Sequence, residues 1–193
     1  MERSSNLLIS NNRAICAFTG ASGTGKTTLL KLIDKELNFA TVELSARPYL
    51  SSNGSYDQTN NDSTQRKIMF GSTVAFAKSI LNEYHSNIFF SRCAIDKLAY
   101  AQTLDLARDV QGVVKQEIEE IVKPYVQVFY IPIEFPMKEE NDIIRGANEE
   151  IRRKTDQNIR AILAGMNIDF ILVSGTVKER FETIKKSLKI WIQ

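Results

Sequence analysis

The stretch GASGTGKT, Gly20 to Thr27, leaves the chain few folds to choose from. It follows a β-rich apolar run, RAICAFTG, and opens into TTLLKLIDKEL, whose apolar residues recur at helical spacing. This is the spacing G-x-x-x-x-G-K-[ST] in the strand-to-helix context that gives the motif its meaning. Glycines let consecutive backbone N–H groups turn inward around phosphate oxygens, and the following helix adds its unpaired N-terminal donors and its dipole. The predicted nucleotide-binding set is Gly20, Ser22, Gly23, Thr24, Gly25, Lys26, Thr27 and Thr28. Lys26 reaches the β and γ phosphates, and the Thr27 hydroxyl ligates Mg²⁺. ATP or GTP is the expected ligand, with Mg²⁺ as its companion ion.

Four further runs have strand character: FATVEL (39–44), NIFFS (87–91), VQVFYIPI (126–133) and DFILVSG (169–175). Helically spaced segments lie between and after them: TQRKIMFGSTVAFAKSILNEY, AYAQTLDLARDVQGVVKQEIEEIV read as one segment, ANEEIRRKTDQNIRAILAGM and VKERFETIKKSLKIWI. Strands alternating with helices predict right-handed crossovers and a mostly parallel five-stranded sheet. Continuous apolar strands, rather than alternating ones, place helices on both faces. The expected fold is therefore α/β, a three-layer phosphate-loop architecture, and ligands should bind at the carboxyl ends of the strands.

With 193 residues the chain is read as one domain, in which residues 1–12 form an N-terminal extension, 45–63 a mobile loop and 134–160 a lid. The loop prediction rests on SSNGSYDQTNNDST, almost entirely small and polar, after an Arg-Pro pair. The 25 basic and 23 acidic residues are well mixed, giving a net charge of +2, so no dense basic surface for duplex nucleic acid is implied, nor is nucleic acid excluded. Cys16 and Cys93 are too few for a disulfide framework, and the lone His85 reads as a solvated helix cap. No apolar stretch is long enough to span a bilayer, and no signal-peptide core precedes the first strand. A cytoplasmic location is expected, the host's if the source is a virus.

Three other strand ends carry polar groups. VELSAR puts Glu43 and Arg47 beyond the second strand, where a carboxylate is placed to accept a proton from an attacking hydroxyl. The plainer reading is an exposed pair in a connecting loop. Ser91 and Arg92 end the third strand, with Asp96 a helical turn further on; Arg92 is suited to bidentate phosphate binding or simply to pairing with Asp96. After the fourth strand, Arg145, Arg152 and Arg153 sit among acidic residues. Arg145 and Arg152 are seven apart and share one helix face, as a lid over a triphosphate requires. A solvated helix laced with ion pairs is the alternative.

In this order the motifs resemble P-loop kinases similar to nicotinamide riboside kinase and related ATPase-domain (AAA-like) proteins, within the nucleoside and nucleotide kinase superfamily. The resemblance runs over nearly the whole chain, through FTGASGTGKTTLL, VELSAR, SRCAIDKLAYA, DIIR, the pair Arg152 and Asp156, and VSGTVKERF. It implies that Lys26, Glu43, Arg92, Arg145 and Arg152 are catalytic. It further implies that Glu43, Arg47, Arg92 and Asp96 hold the acceptor; beside Thr27, the Mg²⁺ site is left to Asp96 or Glu43, or to a serine with a water. Such proteins are found in bacteria and bacteriophages. Ser91 departs from the pattern: relatives carry an aspartate there that helps hold Mg²⁺ through water.

The expected activity is transfer of the γ-phosphoryl of ATP to a nucleoside, a nucleotide such as a deoxynucleoside monophosphate, or a related small metabolite. A modified nucleotide within DNA is a variant acceptor. A nucleotide-dependent regulatory ATPase or binding module is the reading from a different class, and Ser91 speaks for it. The expected partners are ATP and that acceptor, with no membrane.

Overall fold

Every residue of Ile15–Thr19 (β1) is buried, because helices cover both sides of the sheet and the segment offers only apolar groups and one hydroxyl. In the computed structural model, which describes residues 13–44, 86–105, 108–123, 126–136 and 149–189, β1 is the central strand. Its neighbours are Ile88–Phe90 (β3) and Gln127–Tyr130 (β4), while Ala40–Val42 (β2) and Phe170–Leu172 (β5) form the edges. The order is β2-β3-β1-β4-β5 and all four pairings are parallel, with Ala17 opposite Phe90 on one side and Val128 on the other. The five strands lie where the apolar runs place them, and the parallel arrangement is complete.

Lys26–Glu36 (α1) and Val177–Ser187 (α5) cover one face of the sheet. There Phe18, Phe89 and Phe129 pack as neighbours, with ring centroids 4.5 to 6.3 Å apart, against Leu29, Ile33 and Ile184. Tilted and edge-on ring pairs of this kind add about 0.5–1.5 kcal/mol each beyond their area burial. The opposite face is covered by Ala94–Thr103 (α2), Arg108–Glu117 (α3) and Glu149–Gly165 (α4), through Ile95, Leu98, Val114 and Ile159. A polar seam joins α2 to α4: Thr155 Oγ1 donates to Thr103 Oγ1 at 3.2 Å, and the Asn158 amide donates to the same oxygen at 3.0 Å.

One helical segment divides. Residues 99–122, read as continuous, form the end of α2, then α3, then a π-helical turn over Ile118–Val122. Asp105 takes φ 51°, a left-handed conformation that a short polar side chain tolerates and that stops α2. Helical periodicity continues across the break in register, which is why the sequence alone does not reveal it. The predicted extension 1–12, loop 45–63, helix over 64–84, His85 and the middle of the lid lie outside the described residues. Among the described residues no helix is long and apolar enough to cross a membrane.

Candidate functional site

The chain leaves β1 at Gly20, where a side chain would force the backbone to move: a Cβ there would lie 2.4 Å from the carbonyl oxygen of Ile131 on the neighbouring strand's extension. Three and five residues further around the loop, Gly23 and Gly25 take φ 68° and 95°, the left-handed turns that fold residues 20–25 into a concavity at the N-terminus of α1. Lys26 is buried, its ammonium donating to the carbonyls of Gly20 and Ala21 at 2.6 Å each and lying 3.3 Å from Thr24 Oγ1. A phosphate arriving in the loop therefore exchanges backbone carbonyls for phosphate oxygens at Lys26. Thr27, at the first turn of α1, is half-buried, and Thr28 is exposed.

Two buried arginines grip the loop from outside. Arg152, on α4, donates from Nε to the Ser22 carbonyl at 2.8 Å and from Nη2 to the Phe135 carbonyl at 2.9 Å, with Glu149 beside Nη1 at 3.0 Å. Arg180, on α5, donates from Nη1 to the Thr24 carbonyl at 2.6 Å and from Nη2 to Glu134. The same Glu134 oxygen accepts the Gly175 amide at 2.8 Å, which ties the turn before α5 to the end of β4. Burial works to raise the Glu134 pKa, but hydrogen bonds from Arg180 and the Gly175 amide hold it below the ordinary carboxylate value. Glu149 is lowered chiefly by its hydrogen bond from Arg152. With Lys26, three cations thus face the carbonyls of Gly20, Ala21, Ser22 and Thr24. Pairing the carbonyls this way leaves the loop's N–H dipoles and a positive surround for an anion.

On the β3 side, Asp96 joins three things. Its Oδ2 accepts the Cys93 amide at 3.2 Å, capping α2, and its Oδ1 accepts the Gly20 amide at 3.2 Å. Arg92 Nη1 lies 3.4 Å from the same Oδ1. The Arg92 guanidinium also lies 5.7 Å from the centroid of the Tyr100 ring. Burial acts to lower the Arg92 pKa, but Tyr100, Asp96 and then Glu43 hold it above its usual value. Glu43 is exposed at the end of β2, next along from the Val42 carbonyl that accepts the Ser91 amide at 2.9 Å. Glu43, Arg92 and Asp96 therefore gather at adjoining strand ends, with Asp96 directly on the phosphate loop.

The hydroxyl of Ser91 is buried without a hydrogen-bond partner among the described residues. It follows Phe89 by two positions, so strand alternation puts it on the α1 side of the sheet. Both Asp96 oxygens, by contrast, are engaged by protein donors. The donor set would suit a Mg²⁺ ion that arrives with nucleotide phosphates and keeps several waters: Thr27 would be the residue to hold it, and the Ser91 hydroxyl would be free to accept from or donate to such a water. Arg47 and Arg145 lie outside the described residues. Arg152 does reach the loop, through its backbone.

Reasoning from sequence passed over Arg180, Glu134 and Phe135. A signal existed: Arg180 stands four residues after Thr176, which accepts the Glu179 amide and caps α5, so it lies one turn into a helix that starts at a strand end. Glu134 follows the fourth apolar run just as Glu43 closes the second.

A phosphate loop on the central strand of a 2-3-1-4-5 parallel sheet, flanked by arginine-bearing helices, defines a protein of the P-loop fold. The model of the AAA domain family matches residues 15–180, and the chain belongs to that family. A search of curated proteins found no match. Among solved structures, deoxyadenosine kinase from M. mycoides superposes with TM-score 0.67 at 16% identity, covering 91% of this chain and 98% of that one. NadR superposes with TM-score 0.69 at 17% identity over 94% of this chain, which spans only 51% of NadR. YorR from Bacillus subtilis gives TM-score 0.55 at 13% identity, covering 92% and 96%. At these identities the likeness is one of fold.

Proposed function

We propose that the protein is an ATP-dependent phosphotransferase that moves the γ-phosphoryl to a nucleoside, a nucleotide or a related small metabolite. The observation that carries this reading is the hydrogen bond from the Gly20 amide to Asp96, which ties the phosphate loop to the residue that pairs with Arg92, one strand end away from Glu43. A phosphate loop alone serves motors, switches and kinases alike. A carboxylate and an arginine at the next strand ends add what an acceptor needs, a base and an anchor. The reading draws support from the folds it resembles: the solved structures include a deoxyadenosine kinase with dCMP and dCDP, NadR with NAD and AMP-PNP, and YorR with phosphorylated GDP.

In this mechanism the loop amides and Lys26 bind the β and γ phosphates. Thr27 would help to hold a Mg²⁺ ion, which would supply neutralisation of charge there. Arg92, already fixed by Asp96 and Tyr100, orients the acceptor. Where the acceptor attacks through a hydroxyl, that hydroxyl gives its proton to Glu43 as its oxygen bonds to the γ phosphorus; the bond from that phosphorus to the β,γ-bridging oxygen breaks, and ADP departs. Arg152 and Arg180 keep the loop in shape, so that little reorganisation accompanies the charge shift. Arg145 and Arg47 complete the lid and acceptor site in this reading.

Glu43→Gln tests it: turnover should fall by at least a hundredfold with ATP affinity within about twofold, whereas equal losses in both would contradict a base at this position. The second reading, a nucleotide-dependent regulatory module, is favoured by one observation, the neutral Ser91 on the α1 side of β3. Binding of ATP with no turnover in the presence of any acceptor would select it.

A further inference from the structure

Arg152 and Arg180 reach the phosphate loop from different helices, and they meet at one residue, Phe135. Its carbonyl accepts Arg152 Nη2 at 2.9 Å, and its ring lies 5.2 Å from the Arg180 guanidinium carbon. Arg180 in turn holds the Thr24 carbonyl at 2.6 Å, so the ring is fastened to the loop through a single buried side chain. Yet Phe135 is 51% exposed. The other exposed phenylalanine among the described residues, Phe170, is packed edge-on against Tyr130 at the sheet margin, away from the arginines that grip the loop.

An apolar ring that is held rigidly and still half in water is placed to receive a flat ligand. We propose that Phe135 is the stacking platform for the nucleobase of the nucleotide whose phosphates occupy residues 20–27. The inference rests on the reading that this loop binds a nucleotide, and it names the part of that ligand the loop does not touch. The Arg180 cation draws π density from the ring it faces, which favours an electron-rich partner on the open surface. A purine, with its larger π face, gains most from such a platform. Because Arg180 joins the ring to the Thr24 carbonyl, base and phosphates are positioned by one rigid connection.

Calorimetric titration with ATP and with inorganic tripolyphosphate separates the two halves of the ligand. Wild type should bind both, ATP more tightly. Phe135→Ala should weaken ATP roughly tenfold, within the range set by base–aromatic stacking, and leave tripolyphosphate unchanged. Phe135→Trp should restore ATP binding, and Phe135→Leu, apolar but without a π face, should not. The side chain is exposed enough that none of these changes should disturb folding, which circular dichroism would verify. ATP binding by Phe135→Ala equal to wild type overturns the proposal, as does an equal loss for ATP and tripolyphosphate, which would mean that the ring only props the loop. If wild type binds neither ligand, or Lys26→Ala binds ATP as well as wild type does, the nucleotide reading itself fails and the platform with it.

Discussion

Arg180 and Glu134 close an ion pair 2.5 Å long on the outer wall of the phosphate loop, and the same guanidinium holds the Thr24 carbonyl 156 residues away in sequence. The last helix of the fold therefore shapes the first loop. Replacing Arg180 by Ala removes two charge-assisted hydrogen bonds at a buried position and should cost about 2–3 kcal/mol of stability. It should also weaken ATP binding roughly tenfold. Lysine supplies charge without the two-pronged geometry and should recover only part of either loss. Denaturant titration and calorimetry on the two variants check this.

Glu134 and Glu149 titrate below the ordinary carboxylate value of 4.5 in the folded protein. A group depressed on folding contributes stability that is present above its unfolded pKa and lost as pH falls through its folded one. Stability should thus decline as pH drops below about 4.5. Both side chains are partly solvated, so the effect per group is modest. Glu134→Gln should flatten part of that decline, a difference visible in denaturant midpoints measured from pH 6 down to pH 3.

Gly20→Ala places a methyl group 2.4 Å from the Ile131 carbonyl, which belongs to backbone and cannot swing aside. The loop must shift, and the Gly20 amide must leave Asp96. Loss of detectable nucleotide binding, with a fall in melting temperature, is the expected result. Normal ATP binding by this variant would show that the loop does not need its observed path.

Thr155→Val removes the hydroxyl that joins α4 to Thr103 on α2. It should cost about 1 kcal/mol and leave nucleotide affinity unchanged. A comparable loss of affinity would mean that the α2–α4 seam controls the site, which the geometry gives no reason to expect.

The strands and the loop were legible because their signals are local: continuous apolar runs for a buried parallel sheet, and glycines whose spacing dictates where N–H groups point. Glu43, Arg92 and Asp96 were legible as polar residues at the carboxyl ends of strands, where the crossovers bring them together. What Asp96 does there was not, since its bond to the Gly20 amide depends on β1 and β3 being neighbours, and pairing order is written in no single segment. The same holds for Arg180: nothing within VKERF reveals that Thr24 lies beside it. The break at Asp105 was hidden by apolar spacing that stays in phase across it.

The measurement closest to the centre of this account follows an isotopically labelled γ-phosphoryl of ATP, with Mg²⁺, in the presence of nucleosides, deoxynucleotides, nicotinamide riboside and short DNA, with Lys26→Ala as the blank. The label should appear on one class of acceptor as ADP forms in equal amount, and Glu43→Gln should cut the transfer at least a hundredfold while still binding ATP. Label released only as inorganic phosphate, at a rate no acceptor changes, would contradict it and make the protein a nucleotide-dependent regulatory module.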